Sequence, residues 1–209
     1  RNLGFFDKAL ADFERCLAIN PDYGNCRDGI GNAKIMAGDI EAGLAALNDN
    51  LRRGFDGGAN PTLIGVYAEQ GNDAALLYEL NETARDLAGG DMRWAVDMMY
   101  QAMKNPNYDR AAALKVLEAR LDGMGSRLEP GSAMGAMTYL IFGAHDQVRN
   151  KGDSWWWTTR GFPDWKSSPE RKQWMRERGL DDYWREHGFP PQCKPVGPQS
   201  ADSGDFECK

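Results

Sequence analysis

The chain has 209 residues, of which 42% are hydrophobic, 11% aromatic and 27% charged, a composition that excludes a wholly disordered polypeptide. A formal net charge of -6 at pH 7 argues against a broad nucleic-acid-binding face. The longest mostly apolar stretch, Ala133 to Ala144, is too short to span a bilayer. Arg1 stands in mid-pattern, so the pattern is expected to begin upstream of it.

Read from the N-terminus, the first predicted element is a helix over GFFDKALADFERCLAINPDY, with Leu10, Phe13 and Leu17 on one stripe and Pro21 as its stop. A second hairpin is expected over roughly 24–57, with Leu44, Leu47 and Leu51 as the stripe of its second helix. Gly38-Asp39 supplies the turn and cap between its helices. A third hairpin is expected over roughly 58–90. Asn60-Pro61 caps its first helix and Gly71-Asn72-Asp73 forms its turn. A fourth, roughly 92–122, turns around Asn105-Pro106-Asn107, and one further helix is predicted from Ser132 to about Arg149. Short connections make consecutive helices antiparallel neighbours, and a hairpin that cannot bury its stripe alone stacks on the next.

Texture changes near residue 149. Six of the seven Trp lie between Trp155 and Trp184, and the net negative charge resides in the part before the change. The chain therefore divides by composition into a helical body, 1–148, and an aromatic C-terminal extension, 149–209. Trp155, Trp156, Trp157, Phe162, Trp165, Trp174 and Trp184 are too many large apolar groups to leave in water. They are expected to cap the last hairpins; an exposed aromatic binding patch is the alternative.

The body carries an internal period. Gly4, Ala9, Phe13, Cys16 and Pro21 are followed 34 residues later by Gly38, Gly43, Leu47, Asn50 and Phe55, and Gly31 is followed by Gly65. On these residues the body resembles the tetratricopeptide repeat, whose period is 34. The resemblance implies an all-α fold: a right-handed superhelical array of antiparallel hairpins, with the aromatic, partly irregular extension as its cap. An irregular helical bundle with one repeat-like hairpin is the alternative.

The extension carries a second resemblance. Ser168-Pro169-Glu170-Arg171, Trp174-Met175, Gly179-Leu180, Tyr183-Trp184-Arg185, Gly188-Phe189-Pro190, Cys193 and Phe206-Glu207-Cys208 are similar to the C-termini of bacterial repeat-containing transcription regulators and nucleotide cyclases. This implies a non-catalytic sensory or protein-interaction region of a signalling protein. A free-standing repeat scaffold for assembling other proteins would give the same text. The implied partner is a protein or peptide; nucleic acid is not expected to bind this region, and membrane attachment is expected only through an upstream segment.

Catalytic signatures are absent. The two histidines, His145 and His187, lack a neighbouring nucleophile and are read as groups near helix ends. No Cys-x-x-Cys pair supports zinc, and no glycine-rich loop continues into Gly-Lys-Ser/Thr, so neither a metal nor a cofactor is expected. Asp181-Asp182 reads as a solvated helix start, and Arg171, Lys172, Arg176 and Arg178 as an exposed face laced with salt bridges. Cys193 and Cys208 bracket a Pro/Gly/Ser-rich loop, and Cys16 and Cys26 lie on packed neighbouring helices. Both pairs are disulfide candidates, although Cys16 and Cys26 also suit small buried positions. Even cysteine number without metal spacing points to an oxidising, extracytoplasmic site; together with the resemblance of the extension to the bacterial regulators and cyclases, this implies an extracytoplasmic (periplasmic) region of a membrane-anchored protein, with the cytoplasm as alternative.

In a stacked array the first helix of each hairpin lines the concave side. The 34-residue register places Asn25, Asp28, Asn32 and Ile35 there in one repeat, Thr62, Val66 and Glu69 in the next, and Arg93, Val96 and Tyr100 in the fourth hairpin. This mixture suits an extended peptide or protein segment better than a buried small molecule. The acidic body favours a partner with basic groups through steering.

Overall fold

Short polar residues and glycine set the ends of the helices. Asn60 precedes α4 (Pro61–Gln70), and its side chain accepts a hydrogen bond from the Thr62 amide at 3.0 Å. Asp109 caps α7 (Arg110–Gly123) in the same way through the Ala112 amide at 2.9 Å. Each cap satisfies one of the amides that a helix start leaves over, a contribution of about 1 kcal/mol. Asp39 and Asn72 accept from the amides of Ala42 and Ala75 at the starts of α3 (Ile40–Arg52) and α5 (Asp73–Ala88). At the other end, α2 (Gly24–Ala37) stops at Gly38, and the amides of Gly38 and Asp39 return to the carbonyls of Ile35 and Lys34.

The computed structural model describes residues 3–55, 60–88, 92–125, 128, 133–149, 161–197 and 205–208. Among them are twelve helices and one two-stranded sheet. The remaining helices are α1 (Phe6–Ile19), α6 (Arg93–Lys104), α8 (Ala133–Ile141), α9 (His145–Arg149), α10 (Pro163–Ser167), α11 (Pro169–Glu177) and α12 (Leu180–His187). Strands β1 (Cys193–Val196) and β2 (Asp205–Cys208) pair antiparallel with Cys193 opposite Cys208. The protein is thus mostly helical, as expected, and the expected hairpins correspond to α2–α3, α4–α5 and α6–α7. Trp155, Trp156 and Trp157 lie outside the described residues.

The chain forms two compact units, Arg1–Asn50 with Lys172–Lys209, and Leu51–Arg171. These units are defined by packing, whereas the division after residue 148 follows composition.

In the first unit α1 packs on α2, and α2 approaches α3 through facing glycines. A Cβ on Gly43 would lie 2.8 Å from the Gly31 carbonyl oxygen and 2.5 Å from Ile35 Cγ1. One on Gly31 would meet Leu47 Cγ at 2.5 Å. Two of the glycines of the 34-residue pattern therefore let two backbones touch. Asn50, buried, donates from Nδ2 to the Gly24 carbonyl at 3.0 Å and fixes the far end of the same helix pair.

The last segment belongs to this unit. Trp184 has no exposed surface; its Nε1–H donates to the Leu3 carbonyl at 3.0 Å, and its ring meets Phe206 edge-on at 5.6 Å. Gln192 Nε2 donates to the Gly4 carbonyl at 2.7 Å. Trp184 thus packs beside the start of the chain's first helix. The solvated reading of Asp181 is also corrected: it is buried, and Arg185 lies 3.0 Å from its Oδ1. Lys172 and Arg176 each meet Asp205 at 2.7 Å, so the basic face pairs with β2 and not only with its own helix.

In the second unit α5 packs between α4 and α6, and α8 lies against α4, α5 and α6. Ile64, Leu76, Leu80, Met99, Leu117, Leu121 and Met137 have almost no exposed surface, and each such side chain stabilises by about 1.5–3 kcal/mol through its burial. The single helix expected from Ser132 to Arg149 is instead two. Gly143 adopts φ +73°, where the Phe142 and Gly143 amides close onto Thr138 and Leu140, and the chain restarts as α9. Trp165 is buried in this unit against His145, with ring centroids 5.4 Å apart.

Candidate functional site

Both expected disulfides are present: Cys16–Cys26 ties α1 to α2, and Cys193–Cys208 closes the β1–β2 pair. Two such bonds fit an oxidising, extracytoplasmic setting. No helix among the described residues is long and apolar enough to cross a membrane. No group of three or more metal-ligating side chains occurs among them.

The residues expected in the concave groove take different positions. In the first unit Asn25 is exposed and its Nδ2 donates to the Tyr23 hydroxyl at 3.2 Å. Asn32 is buried and donates to Asp28 at 2.8 Å, one turn away. Ile35 has no exposed surface and packs in the core. In the second unit Thr62 and Val66 of α4 are buried, on a helix against which α8 packs. Glu69 accepts from the Gly161 amide at 3.1 Å. A Cβ on Gly161 would stand 2.8 Å from Gly65 Cα, so the turn before α10 seats directly on α4. The chain's own α8 and Gly161 turn therefore lie along α4.

Arg93, Val96 and Tyr100 remain accessible, Arg93 exposed and the other two half-buried. They stand at i, i+3 and i+7 on α6 and share a face. Asp73, at the start of α5, joins this face from the neighbouring helix. Lys104 Nζ lies 2.8 Å from Asp73 Oδ1, and the Tyr100 hydroxyl hydrogen-bonds the same carboxylate. The hydrogen bond from Lys104 is the main cause that holds the Asp73 carboxyl below its ordinary pKa. Tyr100 is pushed up, first by desolvation and then by its bond to Asp73, so it stays a neutral phenol at physiological pH. Leu77, one turn along α5 from Asp73, is 40% exposed and Tyr78 beside it 56%. The α5–α6 seam thus presents Leu77, Val96 and Tyr100 as an apolar strip, bordered by Arg93 at one end and the Asp73–Lys104 pair at the other.

Register in the sequence marked Arg93, Val96 and Tyr100; Leu77, Asp73 and Lys104 were not marked. The available signal was the amphipathic pattern of α5, where Leu77 and Tyr78 fall off the buried stripe of Leu76, Leu80 and Ala84.

His187 ends α12, with its ring 4.4 Å from Tyr183. His145 opens α9, and burial is the first cause that lowers its pKa. Tyr139 donates to Glu118 at 3.2 Å, and burial together with that carboxylate pushes its pKa up to about 12. Compared with protein-family models, curated proteins and solved structures, the chain matches none of them.

Proposed function

We propose that this chain is a non-catalytic recognition region of an extracytoplasmic, membrane-anchored signalling protein, and that it binds an extended peptide or protein segment along the α5–α6 seam. The observation that carries the reading is the seam itself. Leu77, Val96 and Tyr100 offer apolar surface that a partner side chain desolvates, while Asp73, Lys104 and Arg93 fix polarity and direction. Tetratricopeptide-like stacking of hairpins and descent from bacterial repeat-containing regulators are part of the proposal. They are supported by the 34-residue spacing and by the α2–α3, α4–α5 and α6–α7 pairs that follow it. A free-standing extracytoplasmic scaffold would use the same seam.

The experiment is selection of a displayed random-peptide library on the immobilised, oxidised protein, followed by fluorescence anisotropy with the enriched peptides. The exposed-site variants Leu77→Asp and Arg93→Glu, together with Tyr100→Ala, should each weaken binding at least about tenfold, in line with loss of a central contact. The melting temperatures of the two exposed-site variants should stay close to that of the parent. Peptides that bind equally well to all three variants would refute the assignment.

A further inference from the structure

Elsewhere in the second unit a cavity of about 120 Å³ lies between α6, α7, α8, α9 and α10. At roughly 30 Å³ per water it has room for about four waters, or a ligand of about six to eight heavy atoms. That is well below the ~300 Å³ at which drug-sized ligand sites begin. Apolar side chains line part of it, among them Met103, Leu140, Ile141 and Phe162. Two charges reach it, Arg110 from the start of α7 and Asp164 from α10.

These two charges meet at a single contact of 3.3 Å, with side chains 35% and 70% exposed. A solvated one-point pair of this kind stabilises little, so a ligand that offers both a carboxylate and an ammonium can replace it at little cost. Charges around His145, one of the lining residues, set the preference. Asp146, Asp164 and Glu170 all act on His145 through space, against the one guanidinium of Arg110. That balance disfavours a simple anion. Arg110, in turn, disfavours a simple cation. Trp165 also lines the cavity; it is 1% exposed, and its indole N–H has no acceptor among the described protein atoms, the kind of buried donor that an added acceptor satisfies. His145 is held neutral at pH 7 by burial and adds no charge.

We infer that this cavity is a binding site for a small zwitterion of the α-amino-acid class, its carboxylate on Arg110 and its ammonium on Asp164. The two charged groups sit at the mouth and the ligand's short apolar side chain enters between Met103, Leu140 and Phe162. The site is separate from the α5–α6 seam and gives the chain a chemical signal to sense besides a protein partner.

The test is a titration of the ¹⁵N-tryptophan-labelled protein with L-alanine, propionate and ethylamine, read at the indole resonance of Trp165, which is assigned by its loss in Trp165→Phe. L-alanine should shift that resonance saturably, and propionate and ethylamine should each bind at least about tenfold more weakly, since each lacks one charge-assisted contact. Arg110→Gln and Asp164→Asn should each bring the L-alanine affinity down to the level of the single-charge ligands. Equal responses to propionate and L-alanine would overturn the zwitterion assignment in favour of an anion site. No shift of the Trp165 resonance at 20-fold excess over the highest protein concentration would overturn the site altogether. Neither result bears on peptide binding at the seam.

Discussion

Replacing Gly43 by alanine separates two effects of opposite sign. Alanine is favoured over glycine inside a helix by about 1 kcal/mol, so the bare propensity stabilises α3. Against it stands the approach of α2: the new methyl would sit 2.8 Å from the Gly31 carbonyl oxygen, 3.0 Å from the Ile35 amide nitrogen and 2.5 Å from Ile35 Cγ1. Two of these three atoms are backbone, and Ile35 has no exposed surface into which to withdraw. The helices must therefore part, and the cost belongs at the upper end of the ~1–3 kcal/mol range for overpacking. The net expectation is a loss of about 2 kcal/mol, or about 4–8 °C in melting temperature for a chain of this size. Gly123→Ala in α7 is the control. A Cβ there meets nothing within 4 Å, so the propensity gain stands alone and stability should rise by up to about 1 kcal/mol. Thermal and urea unfolding followed by circular dichroism reads both. A Gly43→Ala protein as stable as the parent, or more so, would refute the close α2–α3 packing.

Denatured, unreduced protein should show no free thiol with a thiol reagent. The Cys193→Ser/Cys208→Ser protein should lose up to about 3 kcal/mol of unfolding free energy, the loop-closure value for the 15-residue separation. The Asp205 carboxyl is held below the usual range, first by its hydrogen bond from Lys172 and further by Arg176. Its stabilisation is complete above the unfolded carboxylate value of about 4 and is lost as pH falls through the lower folded value. Asp205→Asn should therefore destabilise the protein at pH 7 and have progressively less effect below about pH 4, as urea titrations at several pH values will read. Constant destabilisation across that range would contradict the pairing.

Much of the helical frame was legible because its punctuation is local. Asn60 and Asn72 cap helices through their own side chains, and Gly38 and Gly71 end them. Cys193 and Cys208 were readable as a pair because they bracket a Pro/Gly/Ser-rich loop. What failed was tertiary. The single helix expected through Met137 and Phe142 breaks at Gly143, a glycine that a helical pattern can also carry inside it. Register placed Ile35 and Val66 on first helices, but it cannot say what covers a helix. Ile35 meets the Gly43 face of α3, and Val66 is buried on the helix against which α8 lies. The contact of Trp184 with Leu3 and that of Lys172 with Asp205 join residues far apart in the chain, where no periodicity reports. The seam was half visible: Arg93, Val96 and Tyr100 share a register, while Leu77 and Asp73 join them only because α5 packs beside α6.

Hydrogen–deuterium exchange of the oxidised protein, with and without a saturating selected peptide, tests recognition at the seam most directly. The account predicts slowed exchange confined to the first turns of α5, around Asp73 to Tyr78, and to α6 from Arg93 to Lys104. Protection confined to α1, α2 and the β1–β2 pair, with α5 and α6 unchanged, would contradict it.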